Sequence, residues 1–345
     1  MPEESIEHID FDDLNHRAIS QPLVKHIYTA DPSAHVFGGK IYIYPSHDVD
    51  AGEAFDDLGS HFAMEDYHVI SMSGIDGEAI DNGIALHVDN VPWAEKQMWA
   101  PDANEKDGTY FLFFPAKDYE GIFRIGVATS SSPMGPFTAQ PEAIKGSFSI
   151  DPAVFKDDDG SYYMFFGGLW GGQLQRWRTG TFNADQPDSP TAFIPEDDEL
   201  ALLPFVAKLN DDLLEFSESP KEIEIIDENG NLLLAGDHDR RFFEAAWLHK
   251  RNGRYYFSYS TGDTHFICYG IGDNPYGPFT YQGIILNPVV GWTTHHSICE
   301  VEGKWYLFYH DSSLSKGITH LRSIKVAEIS YNPDGSIITI DPYLK

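Results

Sequence analysis

Asp151-Pro-Ala-Val-Phe-Lys-Asp-Asp-Asp-Gly160-Ser-Tyr-Tyr163 sets small and apolar residues before an Asp-Gly turn and an aromatic run after it. The outline recurs in Asp31-Pro-Ser-Ala-His-Val-Phe-Gly-Gly39-Lys-Ile-Tyr42, Trp99-Ala-Pro-Asp-Ala-Asn-Glu-Lys-Asp-Gly108-Thr-Tyr-Phe111, Glu244-Ala-Ala-Trp-Leu-His-Lys-Arg-Asn-Gly253-Arg-Tyr-Tyr256 and His295-His-Ser-Ile-Cys-Glu-Val-Glu-Gly303-Lys-Trp-Tyr306. From anchor to turn glycine the offsets are 8, 9, 9, 9 and 8, with blade three's Asp151 to Gly160 counted third. Each unit reads as a β-hairpin, because Asp-Gly, Asn-Gly or Gly-Gly punctuation separates two runs of strand length. Phe123–Thr129 and Phe266–Ile271 read as third strands leading into matching turns, Ser132–Thr138 and Asn274–Thr280.

Anchors 31, 99, 151, 244 and 295 are 68, 52, 93 and 51 residues apart. A base period near 50 suits a blade of about four short strands. The predicted fold is therefore all-β, a five-bladed β-propeller over residues 22–345 preceded by an acidic extension, 1–21. The excess before Glu244 places an insertion at about 171–240, where Asp185-Gln-Pro-Asp-Ser-Pro190 and Glu196-Asp-Asp-Glu199 mark loops. Residues after each anchor are small (Ser33-Ala34, Ala100, Ala153, Ala245-Ala246, Ser297), as a narrow axis requires.

On such an axis equivalent positions share one height, so Asp31, Trp99, Asp151, Glu244 and His295 become neighbours. Three carboxylates brought together are costly unless they serve a site. Paired carboxylates suit glycosidic hydrolysis, one as proton donor to the leaving oxygen and one activating water or attacking carbon. Aromatic walls suit the apolar faces of sugar rings. Glu244 lies in Phe242-Phe243-Glu244-Ala245-Ala246-Trp247, surroundings that raise a carboxyl pKa and fit a general acid. Asp31 is then the ionised base, and Asp151 orients the acid and holds its pKa up.

Composition bounds the partners. With 54 acidic and 23 basic residues in 345, the formal charge of −31 excludes a nucleic-acid binder. No apolar run approaches the roughly 18 residues of a membrane span, so no membrane partner is expected. The opening Met1-Pro-Glu-Glu-Ser-Ile-Glu7 is not a secretory signal, and Cys268 and Cys299 read as buried thiols, which together point to the cytoplasm. An acidic surface disperses a protein and is indifferent to neutral sugars; it is also what a salt-tolerant source would select. Asp157-Asp-Asp-Gly160 lacks the ligand spacing of a calcium loop and is read as a hairpin turn.

Asp31-Pro, Trp99-Ala-Pro-Asp102, Asp151-Pro and Phe243-Glu244-Ala-Ala-Trp247, in this order over residues 22 to 340, resemble glycoside hydrolase family 43, the β-xylosidases and α-L-arabinofuranosidases. The resemblance implies inversion, with Asp31 as base, Glu244 as acid and Asp151 as pKa modulator; inversion leaves about 6.5–9.5 Å between acid and base for a water. It implies release of terminal β-1,4-linked xylose, and α-L-arabinofuranose, from xylo- or arabinoxylo-oligosaccharides. It also implies one Ca2+ near the axis beside His295, and an Arg near substrate and acids, which Arg322 matches. Trp99 is the expected stacking residue. Trp170 on its glycine-flanked loop, Phe243 beside the acid, and His47, next to Asp48 in the corresponding place of blade one, are further substrate-binding candidates. No organic cofactor is expected, and a homo-oligomer is left open.

Three alternatives make different demands on the sequence. A retaining furanosidase of the invertase type needs Asn-Asp-Pro, Arg-Asp-Pro and Glu-Cys, and residues 30, 150 and 245 are Ala, Ile and Ala. A non-catalytic sugar-binding propeller has no use for three carboxylates at one level. An arabinanase, endo or exo, would use the same acids in a more open cleft.

Overall fold

The computed structural model describes residues 8–344, so the acidic opening 1–7 lies outside the described residues. Helix α1 (Phe11–Arg17) starts where the Asp10 carboxylate accepts from the Asp12 and Asp13 N–H groups. Blade one is β1 (Tyr28–Phe37), β2 (Lys40–Asp48), β3 (Asp66–Met72) and β4 (Ile80–His87). Blade two holds β5 (Ala94–Lys96), β6 (Asp102–Lys106), β7 (Thr109–Asp118), β8 (Phe123–Ser130) and β9 (Thr138–Ala139). Blade three is β10 (Ala153–Lys156), β11 (Tyr162–Phe166), β12 (Phe205–Lys208) and β13 (Lys221–Glu222). Next come β14 (Ile225–Ile226) and the strands of blade four, β15 (Glu244–Arg251), β16 (Arg254–Ser260), β17 (Ile267–Gly272) and β18 (Phe279–Leu286), with β14 added in parallel to β18. Blade five is β19 (His296–Val301), β20 (Lys304–Asp311) and β21 (Ser323–Ile329).

The five innermost strands touch in a ring, β1 to β6, β6 to β10, β10 to β15, β15 to β19 and β19 back to β1. All five turn glycines, Gly39, Gly108, Gly160, Gly253 and Gly303, have φ between 76° and 82°. In four hairpins the preceding residue is also left-handed (Gly38 57°, Asp107 53°, Asn252 51°, Glu302 52°), the two-residue turn whose twist matches paired strands. Asp157–Gly160 is a turn too, closed by the Gly160 N–H donating to the Asp157 carbonyl at 3.0 Å.

Axis and core follow the side-chain sizes. Ala34, Ala103 and Ser297 are wholly buried at the axis, where the Ala34 N–H donates to Ser297 Oγ at 3.0 Å. The apolar core lies between blades: Tyr44, Tyr67, Leu112 and Phe114 between one and two, Phe113, Val127, Met164 and Phe166 between two and three, Ile43, Ile70, Phe308 and Ile324 between five and one. A larger cluster, including Phe165, Phe257, Tyr269 and Leu307, joins three, four and five. Burying each such side chain stabilises by about 1.5–3 kcal/mol.

The ring is closed by the segment after α1. The Leu23 N–H donates to the Ile324 carbonyl at 2.9 Å, the Val326 N–H to Ser20 Oγ at 3.1 Å, and Ala18 bridges Tyr343. Residues 18–21, grouped with the acidic extension from sequence, are thus stitched to the last blade. The segment 171–240 is likewise not all insertion. It contains β12, β13 and β14, and the true excursion is 167–204, between β11 and β12. These outer strands are two to four residues long, too short to register as apolar runs. Cys268 is buried, but Cys299 is only half-buried; both are free thiols. No helix among the described residues is long and apolar enough to cross a membrane.

Candidate active site

Backbone irregularity at the axis aims the acids. Register shifts interrupt β1 between Ala30 and Ser33 and β15 between Glu244 and Trp247. Asp31, Asp151 and Ala245 adopt φ of 49°, 58° and 62°, left-handed values that cost a residue with a Cβ on the order of 1 kcal/mol or more each. Such bulges turn side chains that would alternate along a strand into one pocket, whose void, open mouth included, is about 670 Å3. All five blades reach it: Asp31 from blade one, Trp99 from two, Asp151 and Trp170 from three, Phe243 and Glu244 from four, His295 and Arg322 from five.

Asp31 and Glu244 are driven in opposite directions. Burial pushes the Asp31 carboxyl up, but Arg322, His310, His295 and the Ser46 hydroxyl outweigh it and bring it down to about 2. Arg322 donates from Nη1 to Asp31 Oδ1 at 3.0 Å, Ser46 Oγ donates to Asp31 Oδ2, and the Asp31 N–H donates to His310 Nδ1 at 3.0 Å. Burial raises Glu244 to about 8, with the negative charge of Asp31 adding to it and Arg322 opposing. Glu244 therefore holds a proton at neutral pH while Asp31 does not.

Asp151 is also raised, by burial first and then by the charges of Glu244 and Asp31. Its Oδ2 accepts the Ala245 N–H at 2.8 Å, a bond that favours the ionised form and opposes that rise. His295 stands between the two aspartates, its Nδ1 3.8 Å from Asp31 Oδ1 and 3.7 Å from Asp151 Oδ2. Burial brings this imidazole down to about 4, with His310 and Arg322 lowering it further against the pull of Asp31, so it is neutral. His296 turns away from the pocket to Ser258, 2.6 Å from its Nε2.

Arg322 is locked by Asp48, which accepts from its Nη2 at 2.7 Å and from its Nε at 2.9 Å, while Thr293 accepts from Nη1 at 3.0 Å. Trp99 lines the pocket with its indole N–H donated to the Phe62 carbonyl at 2.8 Å. Gly59, at φ 76°, passes so near that a Cβ there would come within 2.7 Å of the Trp99 ring. Trp170, Phe243 and Trp292 form a mutual aromatic wall with centroids 5.4 to 5.8 Å apart.

The structure thus gathers Asp31, Trp99, Asp151, Trp170, Phe243, Glu244, His295 and Arg322 around one pocket. His47 is the exception and its placement as a substrate-binding residue is corrected. Its neighbour Asp48 takes the inward face of β2, so His47 faces the other way and holds Asp66 at 2.7 Å. Sequence reasoning missed the loop 49–65, which brings Phe55, Asp56, His61, Phe62 and Met64 to the pocket, and also Trp292 and Thr293. The loop has no repeat equivalent, but Trp292 and Thr293 sit just before the fifth anchor, a proximity that could have flagged them. Asp102, of the Trp99-Ala-Pro-Asp102 motif, staples three blades, accepting from Ser33 Oγ of blade one and from the Val154 N–H of blade three.

Residues 81–192 match the family model described as glycosyl hydrolases family 43. The chain is 60% identical over 328 residues to xylosidase/arabinosidase 43A of Humicola insolens, covering 93% of this chain and 99% of that protein. It is 66% identical to a β-xylosidase/α-arabinofuranosidase from a compost microbial metagenome, solved with xylotriose in a calcium-free form; the TM-score is 0.92 and the coverage 94% and 98%. A family-43 enzyme of Xanthomonas citri complexed with xylotriose is 55% identical, with a TM-score of 0.90 and coverage of 96% and 97%.

Proposed function

The chain belongs to glycosyl hydrolase family 43, and within it we propose that this protein is an inverting exo-β-xylosidase that also removes α-L-arabinofuranose. The observation that carries the mechanism is the opposed protonation of two carboxyl groups in one pocket, Asp31 near 2 and Glu244 near 8. The relatives named xylosidase/arabinosidase and the xylotriose complexes support the substrate class. A pocket ringed by all five blades and walled by Trp170, Phe243 and Trp292 favours a chain end over an internal bond.

Glu244 gives its proton to the glycosidic oxygen as the bond from that oxygen to the anomeric carbon breaks. Asp31 takes a proton from a water that attacks the same carbon from the opposite face, so the released xylose is the α-anomer. At the end of the step Asp31 carries the proton and Glu244 is ionised; exchange with solvent restores both. Arg322 keeps Asp31 ionised until the water arrives, and Asp151, bonded to the Ala245 N–H, holds the segment that carries the acid.

A calcium ion beside the axis is compatible with the residues present. His295 makes only the two long ionic contacts to Asp31 and Asp151, so its ring nitrogens are uncommitted among the described residues. Both aspartates are engaged, by Arg322 and by the Ala245 N–H, so His295 with water molecules would hold the ion, a sparse set for calcium. There it would supply positive charge that steadies the two carboxylates.

Proton NMR of xylobiose hydrolysis tests the proposal. α-Xylose appearing before mutarotation supports it, and β-xylose first overturns the roles of Asp31 and Glu244. Intact xylobiose with cleaved arabino-oligosaccharides replaces the substrate by arabinan.

A further inference from the structure

Outside the pocket, the residues His47, Asp66 and His68 bring three metal-ligating atoms within 4.8 Å of one another. We propose that they form a transition-metal site, suited to Zn2+, that clamps the stems of the pocket loop 49–65. β2 ends just beyond His47 and β3 begins at Asp66, so the three residues sit where that loop leaves the blade and where it returns. Asp66 and His68, two apart on β3, share a face.

The donor geometry brackets what a metal needs. His47 Nδ1 donates to Asp66 Oδ1 at 2.7 Å, a proton that a bound metal would displace, and His68 Nε2 is 3.9 Å from the same oxygen. Tetrahedral zinc with bonds of about 2.0–2.1 Å sets its donors about 3.3 Å apart, between these two values. The second shell is already built. His68 Nδ1 is 2.8 Å from Asp81 Oδ1, and a carboxylate cannot donate, so that nitrogen carries the proton. In the neutral ring Nε2 is then a lone pair facing the Asp66 carboxylate, an arrangement that a cation between them resolves. Asp81 is itself fixed by the Gly83 N–H at 2.8 Å and by His26 Nε2 at 2.9 Å. The side chains of Asp66, His68 and Asp81 are 11 to 13% exposed and that of His47 18%, enough for water to complete the coordination. Two imidazoles and one carboxylate select zinc, cobalt or nickel over calcium or magnesium.

The test is Zn2+ titration by calorimetry of the chelator-treated full chain, alongside His47→Gln/His68→Gln, Asp81→Asn and His295→Ala variants. One equivalent of Zn2+ is expected in the unaltered protein and in His295→Ala, since the axis is not involved. The double variant should lose it, and Asp81→Asn should bind 10- to 100-fold more weakly because the orienting carboxylate is gone. Hydrolytic activity of the metal-free double variant reports that it is folded; if it is not, Asp81→Asn alone carries the test. No binding by the unaltered protein, binding undiminished in the variants, or loss of binding in His295→Ala would each overturn the site. If the histidines instead bind protons only, calorimetry gives no metal uptake, the first of these outcomes.

Discussion

Replacing Arg322 by Gln should raise the acid limb of the pH profile and, because Arg322 also opposes the rise of Glu244, should not lower its alkaline limb. In the folded protein Asp31 is buried, which by itself raises its pKa, and Arg322 is the largest influence bringing it from 3.8 down to about 2. Without the guanidinium the burial remains and only His310, His295 and Ser46 oppose it, so the carboxyl rises back toward 3.8, a shift of up to about 2 units, or ~2.5 kcal/mol at 1.36 kcal/mol per unit. The sign follows from the role: the base must be ionised, so activity that persists in the parent down to about pH 2 is lost in the variant at a higher pH, toward 4. Stability moves the same way. A depressed carboxyl contributes above its unfolded pKa and loses that contribution as pH falls through about 2, so at neutral pH the variant forfeits up to about 2.5 kcal/mol from Asp31. Asp48 loses a buried partner as well. The assay is kcat/KM for xylobiose at short times from pH 2 to 9, with denaturant unfolding at pH 7 to show that the variant is folded. Ser46→Ala, which removes one hydrogen bond to Asp31, should displace the limb in the same direction by less. A folded Arg322→Gln protein whose acid limb coincides with the parent's would refute the reasoning.

Other outcomes are open to measurement. Activity should fall as pH rises through about 8, where Glu244 loses its proton; a decline beginning two units lower in kcat/KM would assign the acid elsewhere. Glu244→Ala should slow xylobiose hydrolysis by about 10²–10⁴-fold yet spare an aryl xyloside with a good leaving group, which needs little proton donation. Gly59→Ala puts a Cβ 2.7 Å from the Trp99 ring at a φ of 76°, so KM for xylobiose should rise while the acid limb stays fixed. Lys325→Met strands the buried Asp311 carboxylate, now 2.6 Å from the ammonium, and should cost about 3–5 kcal/mol in urea unfolding.

How much of this was legible in the sequence depends on what the repeat constrained. The axis demands small residues and tight turns from every blade, so the five anchors and five glycines stand out and place the three acids without a structure. The outer strands feel no such demand. β12 has only four residues, and β13, at the sheet edge, only two exposed ones, so both blend into the loops around them. The pocket loop 49–65 owes nothing to the repeat, and its aromatic and acidic residues acquire meaning only when the chain folds back over Trp99. His47 was misplaced for a plainer reason. A period of two decides which of two adjacent residues faces inward, and bulges at the axis make that parity unreadable from the anchor alone.

The closure of the ring bears on when the molecule becomes an enzyme. Asp31 belongs to the first blade, whereas the guanidinium that keeps it ionised arrives from the last, and the Thr29 N–H donates to the carbonyl of Arg322 itself at 2.9 Å. A chain whose fifth blade has not yet met residues 18–29 holds the acid, the aromatic wall and much of the pocket, but its water-activating group has an ordinary affinity for protons. Hydrolysis in acid therefore reports completion of the circle: a protein nicked or stalled before that seam forms loses activity at a higher pH than the closed one.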